Sequence, residues 1–129
     1  MTQQKAINIW MDGAVDALDT CDKLFENKKY VHALFFLNLA VEKIVKALYI
    51  SKIDDSPPFI HNLKLLIEKS KTKYSEEEGK QLDEISEYNV SARYDDYKYK
   101  IYLRATKEYT IKWIKIGKKL YEKYKKDCK

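Results

Sequence analysis

Residues 35–50, FFLNLAVEKIVKALYI, decide the fold. Leu37, Val41, Ile44 and Leu48 recur at steps of three and four, the spacing of one helix face. Ala33 and Leu34 extend the stripe towards Tyr30, and Phe36, Ala40 and Ala47 widen it until most of the circumference is apolar. A helix apolar nearly all round belongs at the centre of a bundle. Yet the same stretch carries Asn38, Glu42, Lys43 and Lys46. At 100° per residue, Asn38, Glu42 and Lys46 fall in one row with Phe35 and Tyr49, and Lys43 sits on its flank. Two readings are open. In the first, the row is the wet strip of a central helix, with Glu42 and Lys46 as an i,i+4 pair contributing about 0.2–0.5 kcal/mol. In the second, the aromatic neighbours mark a face covered by a second subunit or a ligand.

Towards the N-terminus, Ile7, Trp10, Ala14, Ala17, Cys21 and Leu24 alternate at three and four, which predicts a helix from about Thr2 to Glu26. Asp12, Asp16 and Asp19 form a second row on it. No His or loop completes a cation shell there, so the row reads as a solvated or Lys-paired face. ENKKY punctuates the end of this helix, and the central helix follows from about Tyr30 to Lys52. DDSPPF then breaks the pattern, because a residue before proline is pushed out of helical conformation. A short third helix turns Leu63, Leu66 and Ile67 inward. Ser75 followed by Glu78 reads as a capping box, opening a fourth helix that buries Leu82, Ile85 and Tyr88 and runs to about Asn89. After SARYDD, a long last helix is predicted from about Tyr97 almost to the end. Its inward face is read as Tyr99, Tyr102, Thr106, Tyr109, Trp113, Ile116 and Leu120. The expected fold class is all-α: an antiparallel up-and-down helical bundle, four main helices plus one short helix, in a single domain over residues 1–129.

Composition agrees. The 129 residues are 45% hydrophobic and 35% charged, with three Gly and two Pro, a balance that favours helix over sheet. No apolar run approaches the roughly 20 residues of a bilayer span, so no membrane association is expected. MTQQKAINIW lacks the charged-then-apolar pattern of a signal peptide. Cys21 and Cys128 are too few for a disulfide framework and too far apart for a metal motif, as expected of reduced thiols in a cytoplasmic protein. The net charge of +5 is unevenly spread. Residues 98–129 hold twelve Lys/Arg and three Asp/Glu, which leaves the remainder at −4. Such polarity predicts an acidic partner for the C-terminal part: nucleic acid, a nucleotide, another protein's acidic face, or the acidic first helix of the same chain.

The run YVHALFFLNLAVEKIVKALYI resembles the signature helix of the HEPN family, the nucleotide-binding domain of higher eukaryotes and prokaryotes. Ala40, Glu42, Lys43, Lys46, Ala47 and Leu48 match its small-residue-Glu-Lys-x-x-Lys-Ala-Leu core. Trp10 with Ala14, Asp16 and Ala17 resembles its first helix. PPFIHNLKLL resembles its His-x-Leu segment, placing His61 and Leu63. SARYDD resembles its Arg-Tyr-Pro-Asp segment, placing Arg93, Tyr94 and Asp95 or Asp96, with Asp95 where proline is usual. The resemblance spans almost the whole chain in motif order. It implies an all-α bundle that dimerises, acting beside a small, separately encoded nucleotidyltransferase as a toxin–antitoxin-like pair. Many members are metal-independent ribonucleases built on Arg, four to six residues, then His.

This chain departs from that motif. No His follows Arg93; the two histidines are His32 and His61. Metal-free RNA cleavage needs one group to take the 2′-hydroxyl proton and another to protonate the leaving oxygen, and His suits both. Tyr97 or Lys98 would substitute only with a strongly lowered pKa. His61, at the start of a helix after a Pro-Pro loop, reads as structural. Gly-rich phosphate loops, paired-Cys zinc spacing and a nucleophile elbow are missing. The expectation is therefore a non-catalytic module that binds a nucleotide, single-stranded RNA or a partner protein and needs no cofactor. Two alternatives stand beside it: a divergent ribonuclease centred on Arg93, and a purely structural dimerisation domain. The candidate ligand-binding residues are Glu42, Lys43, Lys46, Arg93, Tyr94, Asp95, Tyr97 and Lys98. A fork of Arg donors suits phosphate and a Tyr face suits a base. The expected assembly is a two-fold homodimer with the Asn38–Glu42–Lys46 row at a cleft shared with the Arg93 loop.

Overall fold

The computed structural model of the chain describes every residue except Tyr94 and Lys129, and for residues 90–98 the backbone alone. Among the described residues six helices follow one another: α1 (Gln3–Glu26), α2 (Tyr30–Ile53), α3 (Leu63–Lys69), α4 (Glu76–Arg93), α5 (Asp95–Arg104) and α6 (Lys107–Asp127). No strand occurs among the described residues. No helix there is long and apolar enough to cross a membrane.

The chain sets these boundaries with short polar side chains. Thr2 accepts from the Lys5 amide and Asn62 from the Leu65 amide, each satisfying one of the open donors at a helix start. The Ser75–Glu78 box forms as expected, with the Glu78 amide donating to Ser75 Oγ at 3.1 Å and Glu78 reaching back to the Ser75 amide. α2 stops where Asp54 turns left-handed (φ 57°) just ahead of the two prolines.

α2 is the hub. It packs against all five other helices, most extensively against α1, to which the short turn after Glu26 joins it. Leu34, Leu37, Val41, Ile44 and Leu48 are fully buried, and each contributes roughly 1.5–3 kcal/mol by leaving water. Leu63, Leu66 and Ile67 of α3 and Leu82, Ile85 and Tyr88 of α4 join them, as their spacing predicts.

The C-terminal third differs from the expectation. The single long last helix is two helices, α5 and α6, and Thr106 is the reason. Its backbone is extended (ψ 168°) and its hydroxyl accepts from the Tyr109 amide at 3.1 Å, so it caps α6 instead of sitting within a longer helix. The inward stripe shifts accordingly. Thr110, Ile114, Gly117, Leu120, Tyr121 and Tyr124 are buried, while Tyr99 and Tyr102 of α5 are exposed. The polar loop expected around Arg93 is also corrected: Arg93 is the last residue of α4 and Asp95 the first of α5.

Charge asymmetry is partly resolved inside the chain. Lys118 of α6 pairs with Asp22 of α1 at 2.8 Å, and Lys123 bonds Glu78 of α4. Asp12, Asp16 and Asp19 face solvent, Asp19 paired with Lys23 at 3.0 Å.

Candidate functional site

The polar row of α2 does not face water. Asn38, Glu42 and Lys46 are buried, at 0%, 6% and 5% exposure. The wet-strip reading does not hold, because the chain itself covers these three side chains. Trp10 of α1 lies over Lys46, with Nζ 5.3 Å from the ring centroid, and over Lys43 at 5.5 Å. His61, from the segment before α3, places Nδ1 3.0 Å from Glu42 Oε1. α4 closes the far end: Asn38 donates to the Ile85 carbonyl at 2.9 Å and accepts from Asn89.

Each buried polar atom in the row therefore has a partner, which is what makes its burial tolerable. Glu42 uses both oxygens, Oε2 for Lys46 Nζ at 3.0 Å and Oε1 for His61. A carboxylate oxygen accepts, so this bond requires the His61 proton on Nδ1. The Lys46 ammonium is further stabilised over the face of Trp10. Lys43, half-buried on the flank, lays its stem across Gly13 of α1, whose missing Cβ would sit 3.2 Å from Lys43 Cδ.

Of the candidate residues on the second segment, Tyr94 lies outside the described residues, and so do the side chains of Arg93, Asp95, Tyr97 and Lys98. Their backbone positions put Arg93 at the end of one helix and Asp95, Tyr97 and Lys98 in the first turn of the next.

A second polar cluster, which spacing did not reveal, lies where α4 meets the α5–α6 junction. The hydroxyls of Tyr88 and Tyr109 are 2.7 Å apart, Tyr109 donates to Glu84, and Arg104 bonds Glu84 at 2.8 Å and Glu87 at 3.2 Å. Burial and the Glu84 carboxylate push the Tyr109 phenol up to about 12. Burial and the bond to Tyr109 raise Tyr88 further still. Both tyrosines stay protonated near neutrality and serve as hydrogen-bond donors, not as bases. Burial likewise pushes the Cys21 thiol up to about 12 and Cys128 to about 11, so neither is a thiolate nucleophile. Among the described residues, no group of three or more His, Cys, Asp or Glu side chains is arranged to hold a metal ion.

One cluster clamps α1, α2, α4 and the His61 segment together; the other fastens α5 and α6 to α4. A family model described as HEPN domain matches residues 7–127. Comparison with curated proteins and with solved structures gave no match.

Proposed function

The chain belongs to the HEPN family, and on that premise we propose that it is a non-catalytic nucleotide- or RNA-binding module. In this reading it works in the cytoplasm as a homodimer, together with a separately encoded nucleotidyltransferase. The observation that carries the non-catalytic part is the fate of the histidines. None follows Arg93 at any distance. His61, on the segment that follows the two prolines, bonds Glu42 through Nδ1, and His32 lies in the first turn of α2. An Arg in the family motif keeps its use without the His. Its planar fork still binds phosphate, while proton transfer lacks its usual carrier.

In this reading Arg93, Tyr94, Asp95, Tyr97 and Lys98 touch the ligand. Glu42, Lys43 and Lys46 act from below, holding Trp10 and His61 in register, while Asn38 ties α4 to the same row. The net charge of +5, concentrated in the C-terminal part, supports a polyanionic ligand. The test is fluorescence anisotropy with labelled single-stranded RNA and with a nucleoside triphosphate. Wild type is expected to bind at least one of them, and Arg93→Ala to lose about ten-fold or more, the value of one charge-assisted bidentate contact. Wild-type protein that binds neither removes the reading.

A further inference from the structure

Resting on the reading of the chain as an RNA-binding module, we infer a second contact surface for single-stranded RNA: the groove between the start of α2 and the end of α5. The groove, about 620 Å³, is lined by Lys28, Lys29, Tyr30, Val31, His32, Tyr102 and Ala105. It lies on the far side of α5 from the Arg93 end, so it would extend the path of a bound strand along that helix.

Three observations select this occupant. The first is charge. The lining holds two lysines and a histidine and no carboxylate. Lys28 and Lys29 are exposed, and neither pairs with a carboxylate among the described residues. The two other grooves of similar size are different. One carries Asp54 and Asp55, and the other Glu77 and Glu78 facing Lys119 and Lys123. A phosphodiester is repelled by the former and must break the Lys123–Glu78 ion pair in the latter.

The second is the aromatic face. Tyr102 is 66% exposed and Tyr99, one turn earlier on the same side of α5, is 63% exposed. Large rings left this open on a helix with a buried opposite face (Ile101 at 2%) are stacking platforms for unpaired bases. Stacking on both rings with phosphates towards the lysines is the arrangement that single strands, and not duplexes, allow.

The third is the backbone field. No side chain caps the first turn of α2. The positive end of that 24-residue helix therefore adds to the lysines and opens beside Tyr102.

The test is anisotropy of a short labelled oligouridylate over a series of salt concentrations, on full-length protein. Tyr102→Ala is expected to weaken binding at least about five-fold. The double variant Lys28→Gln, Lys29→Gln is expected to lower the slope of log affinity against log salt by about 1.4, the value for two phosphate contacts on a single strand. Melting temperatures should stay within about 2 °C of wild type, since all three side chains are exposed. Wild-type binding that is lost in Arg93→Ala but unchanged in both groove variants would overturn this inference and leave the proposed function standing. No wild-type binding to RNA or nucleotide would overturn both. Displacement of RNA by polyglutamate at equal charge concentration, insensitive to Tyr102→Ala, would overturn it in favour of an acidic protein segment.

Discussion

Glu42→Ala should cost about 3–5 kcal/mol of folding free energy, roughly ten times the value of a solvent-exposed helix pair. The reason is what stays behind. Lys46, 5% exposed, would keep its ammonium under Trp10 with its carboxylate gone, and His61 would lose the acceptor that holds its segment against α2. A charge stranded in that way retains its desolvation cost and loses the attraction that offset it. Against a total stability of about 5–15 kcal/mol, the loss is a large fraction. Urea denaturation should show it as a drop in midpoint at unchanged slope. The double variant Glu42→Leu, Lys46→Met removes both charges and should recover most of the loss, because no buried charge is left without its partner. A Glu42→Ala protein destabilised by only a few tenths of a kcal/mol would mean that water reaches the row.

The second large effect is expected at Gly117. α6 approaches α2 so closely there that a Cβ on Gly117 would lie 2.5 Å from Leu37 Cδ1 and 2.8 Å from Leu37 Cγ. Leu37 is fully buried and has nowhere to turn. Gly is normally a liability inside a helix, by about 1 kcal/mol relative to Ala, so its presence here reflects the close approach. Gly117→Val adds a branched side chain at the contact and should destabilise by about 3 kcal/mol, at the upper end for overpacking. Thermal unfolding checks this. In a chain of this size about 3 kcal/mol corresponds to a fall in Tm on the order of 10 °C. Leu37→Ala combined with Gly117→Val should be less damaging than the sum of the two single changes, because the truncated side chain vacates the space the valine needs. Strict additivity would show that the two residues are not in contact.

Much of the fold was legible from spacing, and the exceptions share a cause. The three-and-four stripes of α1 and α2, the Pro-Pro break and the Ser75–Glu78 box are local signals read within a few turns of chain, and they stand. The long last helix failed because Tyr99 and Tyr102 keep the same three-and-four rhythm across Thr106. Periodicity does not register a cap, although Thr106 with Glu108 in the following turn was a helix-start signal in plain view. The Asn38–Glu42–Lys46 row was correctly placed on one line of α2, but its surroundings were misjudged. Its covers come from Trp10, His61 and Ile85, far apart in sequence, and no helical period connects them. The Tyr88–Tyr109–Glu84–Arg104 cluster was missed for the same reason: its members are joined across helices, 20 to 25 residues apart.

The same comparison bears on function. Glu42 and Lys46 belong to the motif that most resembles the family, yet they sit where a ligand has little access. The burden of ligand contact in the proposed reading therefore falls on the Arg93–Lys98 segment and on the groove beyond it. In the same row Asn38 ties α4, which leads into that segment, to α2. Motif resemblance identified the fold, and burial separates the residues that brace the bundle from those on its surface.

The central proposal, a non-catalytic HEPN module, is tested most directly in its RNA-binding form by one gel-shift measurement. End-labelled single-stranded RNA is incubated with the full chain in EDTA, and the shifted band is excised and its RNA sized. The account predicts a shifted complex whose RNA is full length after prolonged incubation. Shortened RNA, produced by wild type and not by Arg93→Ala, would contradict it.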